Sequence, residues 1–204
     1  MARCPPEQLS CGKAYLRRWR RSDLEALVAA SKASWRHLQP WMLWAQNEPD
    51  EQSSLPFLES AETQWDAGEA FQYAIFDAVG PAVVGSCGLM RRIDEGGLEI
   101  GYWVHVAHTR QGLATAAAAA LTSAGFGLRG VSHVEIHVDQ ANVASCAVPA
   151  RLGYQHVATR HRDQQAPAET GQDEIWRLTC DEWPLSRAAA IYGEHVCAAD
   201  AESD

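Results

Sequence analysis

Thr109-Arg110-Gln111-Gly112-Leu113-Ala114-Thr115 joins an apolar run, Leu98 to Val106, to an alanine-rich segment, Ala116 to Phe126. The order reads as strand, tight loop, helix. A glycine at a helix start lets a ligand approach backbone N–H groups that have no partner inside the helix. The helix dipole adds roughly half a positive charge at that end, so the turn suits a phosphate or pyrophosphate. Taken alone, one glycine in such a loop also fits an ordinary connection.

Further along, His133 to Asp139 alternates strictly, with Val134, Ile136 and Val138 apolar between polar neighbours, and reads as a strand. It runs into Gln140-Ala141-Asn142-Val143-Ala144-Ser145 and then Leu152-Gly153-Tyr154. Asn142 is a good N-cap and Gly153 a good C-terminal stop, which predicts a short helix between them. Pro149 falls inside that helix and should kink it or free the carbonyl of Ser145.

These two motifs, in this order, resemble those of the GNAT superfamily of N-acetyltransferases, in particular the branch of ribosomal-protein N-terminal acetyltransferases (RimJ/RimL-like). The resemblance spans Tyr15 to Trp183. The family's acyl-CoA loop, Arg/Gln-x-x-Gly-x-Gly/Ala, is matched at Gly112 and Ala114, with Thr109 where Arg or Gln is common. Because that loop binds mostly through backbone N–H groups, the change at Thr109 puts only a side-chain contact in question. Many relatives also carry Glu where this chain has Ala116, which removes a negative charge beside the phosphates.

The resemblance implies an α/β fold (mixed α+β) in which a six- or seven-stranded mixed sheet, with helices on both faces, splays its central parallel strands. It implies acetyl-CoA as co-substrate, a primary amine as acceptor (a protein N-terminal α-amine or a small-molecule amine), and no metal. The pyrophosphate would lie on Thr109, Arg110, Gln111, Gly112, Leu113, Ala114 and Thr115. The pantetheine arm would run along strand 98–106 past the backbone of Val104 and Val106, and Asn142 would contact it or cap its own helix. An N–H near Val104 could meet the thioester carbonyl and stabilise the developing oxyanion. The alternative class is a non-catalytic acyl-CoA-binding or interaction module of the same fold.

For the proton leaving the amine, Glu99 is the first candidate, since a carboxylate beside an apolar cleft can be tuned toward neutrality. Glu135 and His137 rival it from one face of the neighbouring strand. For the proton reaching the sulfur, Ser145 matches the hydroxyl that RimL-like relatives place near it, and Tyr154 is the superfamily's other candidate. Cys146 would allow a covalent route, but a small buried thiol is its ordinary reading. Trp35, Trp41 and Trp44, with Met42, are expected to wall the acceptor site. His105 and His108 make a His-x-x-His pair without a third partner, a poor metal site.

Composition agrees with a single domain. The 204 residues carry a formal charge of −9, which argues against an electrostatic nucleic-acid binder, DNA included. The basic cluster Arg17, Arg18, Arg20 and Arg21 reads as the flank of a strand and helix start. Met1 to Lys13 lacks the apolar core of a signal peptide, and no apolar run approaches the ~20 residues of a membrane span. The six cysteines show no Cys-x-x-Cys spacing, which suits a reducing cytoplasm. A homodimer is compatible with this reading. The expected organisation is a flexible segment 1–13, the catalytic domain 14–184, and a tail 185–204 whose last part, from Gly193, is disordered.

The expected elements are a strand at Ala14–Trp19 and a helix capped by Ser22 that ends near Ser34. A helix at Ser54–Asp66 and a hairpin around Gly80-Pro81 come next. After the two motifs, strands Gln155–Arg162 and Glu174–Thr179 close the sheet, joined by a polar loop.

Overall fold

The computed structural model describes residues 3–201, with side chains through 195. Its elements are β1 (Gln8–Ser10), β2 (Ala14–Arg18), α1 (Leu24–Leu38), α2 (Glu51–Ala67), β3 (Ala70–Asp77), β4 (Val83–Met90), β5 (Gly97–Val104) and α3 (Leu113–Phe126). They continue with β6 (His133–Asp139), α4 (Val143–Leu152), β7 (Gln155–His161), β8 (Gln172–Thr179) and α5 (Arg187–Ala201). The strands form one eight-stranded mixed sheet in the order β1-β2-β3-β4-β5-β6-β8-β7. The extra strand is β1, which pairs Gln8–Ser10 antiparallel to β2 inside the stretch expected to be flexible.

Of the described strand pairs, only β5 and β6 run parallel, and their pairing is short. Gly97, Leu98 and Glu99 lie opposite His133, Val134 and Glu135, and there the register ends. Elsewhere both strands stay held, β5 by β4 from Glu99 through Val104 and β6 by β8 from His133 through Asp139. Two strands tied to different neighbours and released from each other must diverge. A wedge opens where the parallel strands are expected to splay.

Alternation sorts each strand into two faces. Phe71, Tyr73, Ile75, Leu89, Leu98, Ile100, Val134 and Ile136 share the main core with α3 and α4. On the other face Ala74 and Phe76 meet Leu27 and Ala30 of α1 and Leu58 and Ala61 of α2. Beyond β5 that second face opens onto a cavity floored by Glu135 and His137 of β6 and Ile175 and Arg177 of β8.

In α3 eleven of fourteen residues are buried, including the whole run Ala116–Ala120, so this helix needs cover on the side away from the sheet. The cover is α5, whose Ala188 is fully buried in the same core. The tail expected from residue 185 onward is therefore a docked helix through Ala201, and residues 202–204 lie outside the described ones. Small side chains also let α3 lie close on the sheet. A Cβ at Gly125 would come within 3.3 Å of Leu98 and 3.4 Å of Val134.

Helix limits shift for local reasons. A 3-10 turn over Arg21–Asp23 precedes α1, so Ser22 is not its cap, and α1 continues past Ser34 to Leu38. α2 begins before Ser54, because Asp50 and Ser53 make reciprocal capping bonds of 2.8 and 3.0 Å.

Candidate active site

The wedge has two unlike walls, and backbone builds the first. Along β5, N–H groups point alternately to the two neighbours. The N–H of His105 bonds the carbonyl of Val84 on the β4 side at 2.8 Å, so the N–H of Val104 points the other way, into the wedge. Val106 is not available in the same manner. Its N–H donates to Ser34 Oγ at 3.1 Å and its carbonyl accepts from Thr109 Oγ1 at 3.1 Å. Thr109 thus ties the loop to itself rather than presenting a side chain to a ligand, and Gln111 Nε2 does likewise to Ala107 at 3.3 Å.

The loop then turns through two left-handed residues, Arg110 at φ 59° and Gly112 at φ 81°. Arg110, Gln111 and Gly112 are exposed, and nothing lies within 4 Å of where a Gly112 Cβ would stand. This is a cradle that a side chain would fill. The first-turn N–H groups of α3, from Leu113 to Thr115, have no carbonyl one turn back to bond. An anion such as a pyrophosphate fits there. His105, whose pKa burial and the neighbouring His108 both push down, accepts the N–H of Ala107 at Nδ1 (3.2 Å). Its ring closes this corner of the loop.

Side chains build the second wall. Asn142 caps α4, its Oδ1 accepting from the N–H of Ser145 at 3.2 Å. Pro149 cannot donate to the carbonyl of Ser145 one turn back, and that carbonyl accepts instead from the hydroxyl of Tyr102, at 3.2 Å. The same hydroxyl accepts from Ser145 Oγ at 3.2 Å. Tyr102 and Ser145 therefore bridge the wedge as a hydroxyl pair. Burial pushes the Tyr102 phenol well above its ordinary pKa, so it keeps its proton. Cys146 points elsewhere, its Sγ to the carbonyl of Asp139 at 3.7 Å, and burial, then the charge of Glu174, raises its thiol to about 11.

Tyr154, expected as the alternative acid, is not at the cleft. It is 3% exposed, and its hydroxyl meets Thr122 of α3 at 2.7 Å in the core. Tyr102 takes the place beside Ser145. Alternation along β5 puts Tyr102 on one face with Leu98, Ile100 and Val104, but its partner depends on where α4 lands.

At the base of the wedge Glu99 of β5 meets Glu135 and His137 of β6, as alternation and the parallel register require. Both oxygens of Glu99 are engaged by Arg92, at 2.8 and 2.5 Å. Glu135 is held by Arg177 at 2.6 Å and meets His137 Nε2 at 2.5 Å. The other imidazole nitrogen, Nδ1, stands 3.6 Å from Glu99, and His137 lines the cavity.

The cavity, about 460 Å³, runs from this network to an aromatic wall of Trp41, Met42, Trp44, Phe57 and Trp103. Trp44 and Trp103 lie 5.9 Å apart, ring centre to ring centre. Trp35 is not in the wall, since its indole N–H is spent on the carbonyl of Ala45 at 2.8 Å. Opposite, the loop between β7 and β8 closes the cavity with Arg162 and Glu169. Asp139 anchors that loop by accepting from Thr170 and Gly171, each N–H at 2.8 Å. Burial pushes the Asp139 carboxyl up, but these donors and Ala141 outweigh it and hold the carboxyl below its usual value. The N–H of Ala168 reaches across to Pro40 at 2.9 Å, joining this loop to the aromatic one.

Comparisons with known proteins agree with this fold. RimJ of Mycobacterium smegmatis, solved in complex with CoA-disulfide, superposes with a TM-score of 0.78 at 22% identity, covering 94% of this chain and 97% of its own. A RimL ribosomal α-N-protein acetyltransferase, solved with coenzyme A, gives 0.75 at 19% identity over 83% of this chain and 95% of its own. The microcin self-immunity acetyltransferase MccE, solved with acetyl-CoA and AMP, gives 0.75 at 15% identity over 82% and 92%. A comparison with curated proteins finds no match. The family model described as "Acetyltransferase (GNAT) domain" matches residues 13–155, more than half of the sequence, and the chain belongs to that family.

Proposed function

We propose that this GNAT acetyltransferase moves the acetyl group of acetyl-CoA directly onto the α-amine of a protein or peptide N-terminus, both substrates being held together. The observation that carries this reading is the wedge beyond Glu99. One wall offers backbone donors and a helix N-terminus, and the other offers a hydroxyl pair and an oriented imidazole. Related folds solved as ribosomal-protein acetyltransferases support a peptide acceptor over a small amine. The cytoplasm is the proposed setting, where Cys4, Cys11, Cys87, Cys146 and Cys180 would remain the free thiols they are here.

The chemistry asks three things of these residues. The cradle at Gly112 and the unpaired edge of β5 hold the donor, and the N–H of Val104 receives the carbonyl oxygen as it gains charge. His137 is the group best placed to take the amine proton. Glu135 accepts its Nε2–H, which leaves the Nδ1 lone pair, on the Glu99 side, as the acceptor, whereas Arg92 occupies both oxygens of Glu99. Glu99 then faces the imidazolium that forms. As the nitrogen–carbon bond is made and the carbon–sulfur bond breaks, the amine gives one proton to His137. The departing thiolate is steadied by a hydrogen bond from the Tyr102–Ser145 pair and takes its proton from solvent, to which His137 returns the one it holds. The products are an N-acetyl amine and free CoA thiol.

A free-thiol release assay across peptide N-termini, lysine side chains and small amines, followed by mass spectrometry of the products, tests this function. Thiol release with peptides carrying a free α-amine, and acetyl on that amine, is the expected result. No release with any amine would favour the non-catalytic acyl-CoA-binding module.

A further inference from the structure

The uncovered face of the sheet carries a second cavity, about 810 Å³, whose far part, around Arg160 and Asp173, no step above uses. It shares Arg92, Glu99, His137 and Arg162 with the acceptor cavity, so the two are continuous. Resting on the peptide-acceptor reading, we propose that this trough docks an acidic stretch of the acceptor immediately after its N-terminal residue.

Carboxylates lie at the bottom of the trough, with side chains of Glu135 and Asp173 only 4% and 6% exposed. Guanidinium groups lie on top, with Arg92, Arg160 and Arg177 exposed to 58%, 53% and 37%. A guanidinium carries five N–H donors, and a buried carboxylate takes one edge of the fork, leaving the rest turned to solvent. The surface offered to a partner is therefore one of cationic donors. Asp94 is the exception, exposed at the end of the trough beside Arg177. Four arginines and four carboxylates line the trough, so it is formally neutral in a chain that carries −9; an acidic segment is repelled elsewhere and here meets the outward-turned arginine donors, which orients it. An extended peptide whose first amine sits near His137 would continue into this trough through the shared residues.

The test is a series of acceptor peptides with one N-terminal residue and with acidic, neutral or basic residues following it. Exposed pairs each contribute a factor of about 1.5–5, so three arginines predict roughly a tenfold higher kcat/KM for the acidic peptide, expressed in KM. The preference should largely vanish near about 0.5 M salt. Arg160→Glu, at an exposed residue whose one ion pair among the described residues is a 3.5 Å contact with Asp173, should cut it to about twofold or less while leaving the neutral peptide's rate unchanged. Equal kcat/KM for acidic and neutral peptides, or a preference untouched by both salt and Arg160→Glu, would overturn the proposal while leaving the peptide-acceptor reading intact. Acetylation of small amines but of no peptide would instead overturn that reading, and this inference with it.

Discussion

The two walls of the wedge are made of different material. On the β5–α3 wall, the groups aimed at the ligand are main-chain: Val104 N–H and the first turn of α3. On the β6–α4 wall they are side chains locked by other side chains, as Glu135 locks His137, and at the base of the wedge Arg92 locks Glu99 of β5 in the same way. A backbone wall tolerates changes of residue type, such as Thr109 and Ala116, provided the turn survives. A side-chain wall tolerates few changes but can be specific. Each should fail in its own way, the first in donor affinity and the second in turnover.

The largest effect is expected on the side-chain wall. His137→Gln keeps a hydrogen-bonding side chain but loses the proton acceptor, and kcat should fall by about 10²–10⁴-fold with the CoA Kd unchanged. Glu99→Gln should cost only about tenfold, as its part is to face the charged imidazole. Steady-state kinetics on both variants decides between them, and the reverse order would make Glu99 the base.

Next comes the backbone wall. Gly112 sits at φ 81° with open space around it, so Gly112→Val adds strain and fills the cradle without a clash in the free protein. CoA affinity should weaken by about a hundredfold or more, measured by calorimetry, with the circular dichroism spectrum retained. Unaltered affinity would place the donor elsewhere.

Tyr102→Phe and Ser145→Ala should each lower kcat by about tenfold, since either hydroxyl can partly replace the other and a thiolate is a good leaving group. Their double variant should exceed either single one, and purely additive losses would separate the two roles. The smallest effect concerns Cys146. With its thiol raised to about 11, little thiolate exists near neutrality, so alkylation at this residue should be slow. Between pH 7 and 9 it should quicken roughly tenfold per pH unit, without a plateau, when followed by peptide mass mapping. A plateau below pH 9 would mean an activated cysteine.

The helices at the mouth of the wedge were legible in the sequence because Gly112, Asn142 and Gly153 each announce a local backbone event that needs no tertiary knowledge. Even the Pro149 effect was half readable: the freed carbonyl of Ser145 was predicted, but its partner Tyr102 was not. The acceptor wall was less legible. Alternation put Glu135 and His137 on one face, yet the Arg92–Glu99 pair depends on the loop after β4 folding back over β5. Tyr154 followed the family's pattern, but here it meets Thr122 inside the core. The docked helix α5 had a sign in the sequence that was passed over. An alanine-rich α3 with no polar face has to be covered on both sides, and the chain after Trp183 was the remaining material.

The central claim is that both substrates occupy the wedge at once and that the acetyl group never rests on the protein. Initial rates measured against acetyl-CoA at several fixed acceptor concentrations test it most directly. Double-reciprocal lines should intersect, as a ternary complex requires, and Cys146→Ala should retain most of the activity. Parallel lines, together with an acetylated Cys146 trapped in the absence of acceptor, would contradict the account in favour of a covalent relay.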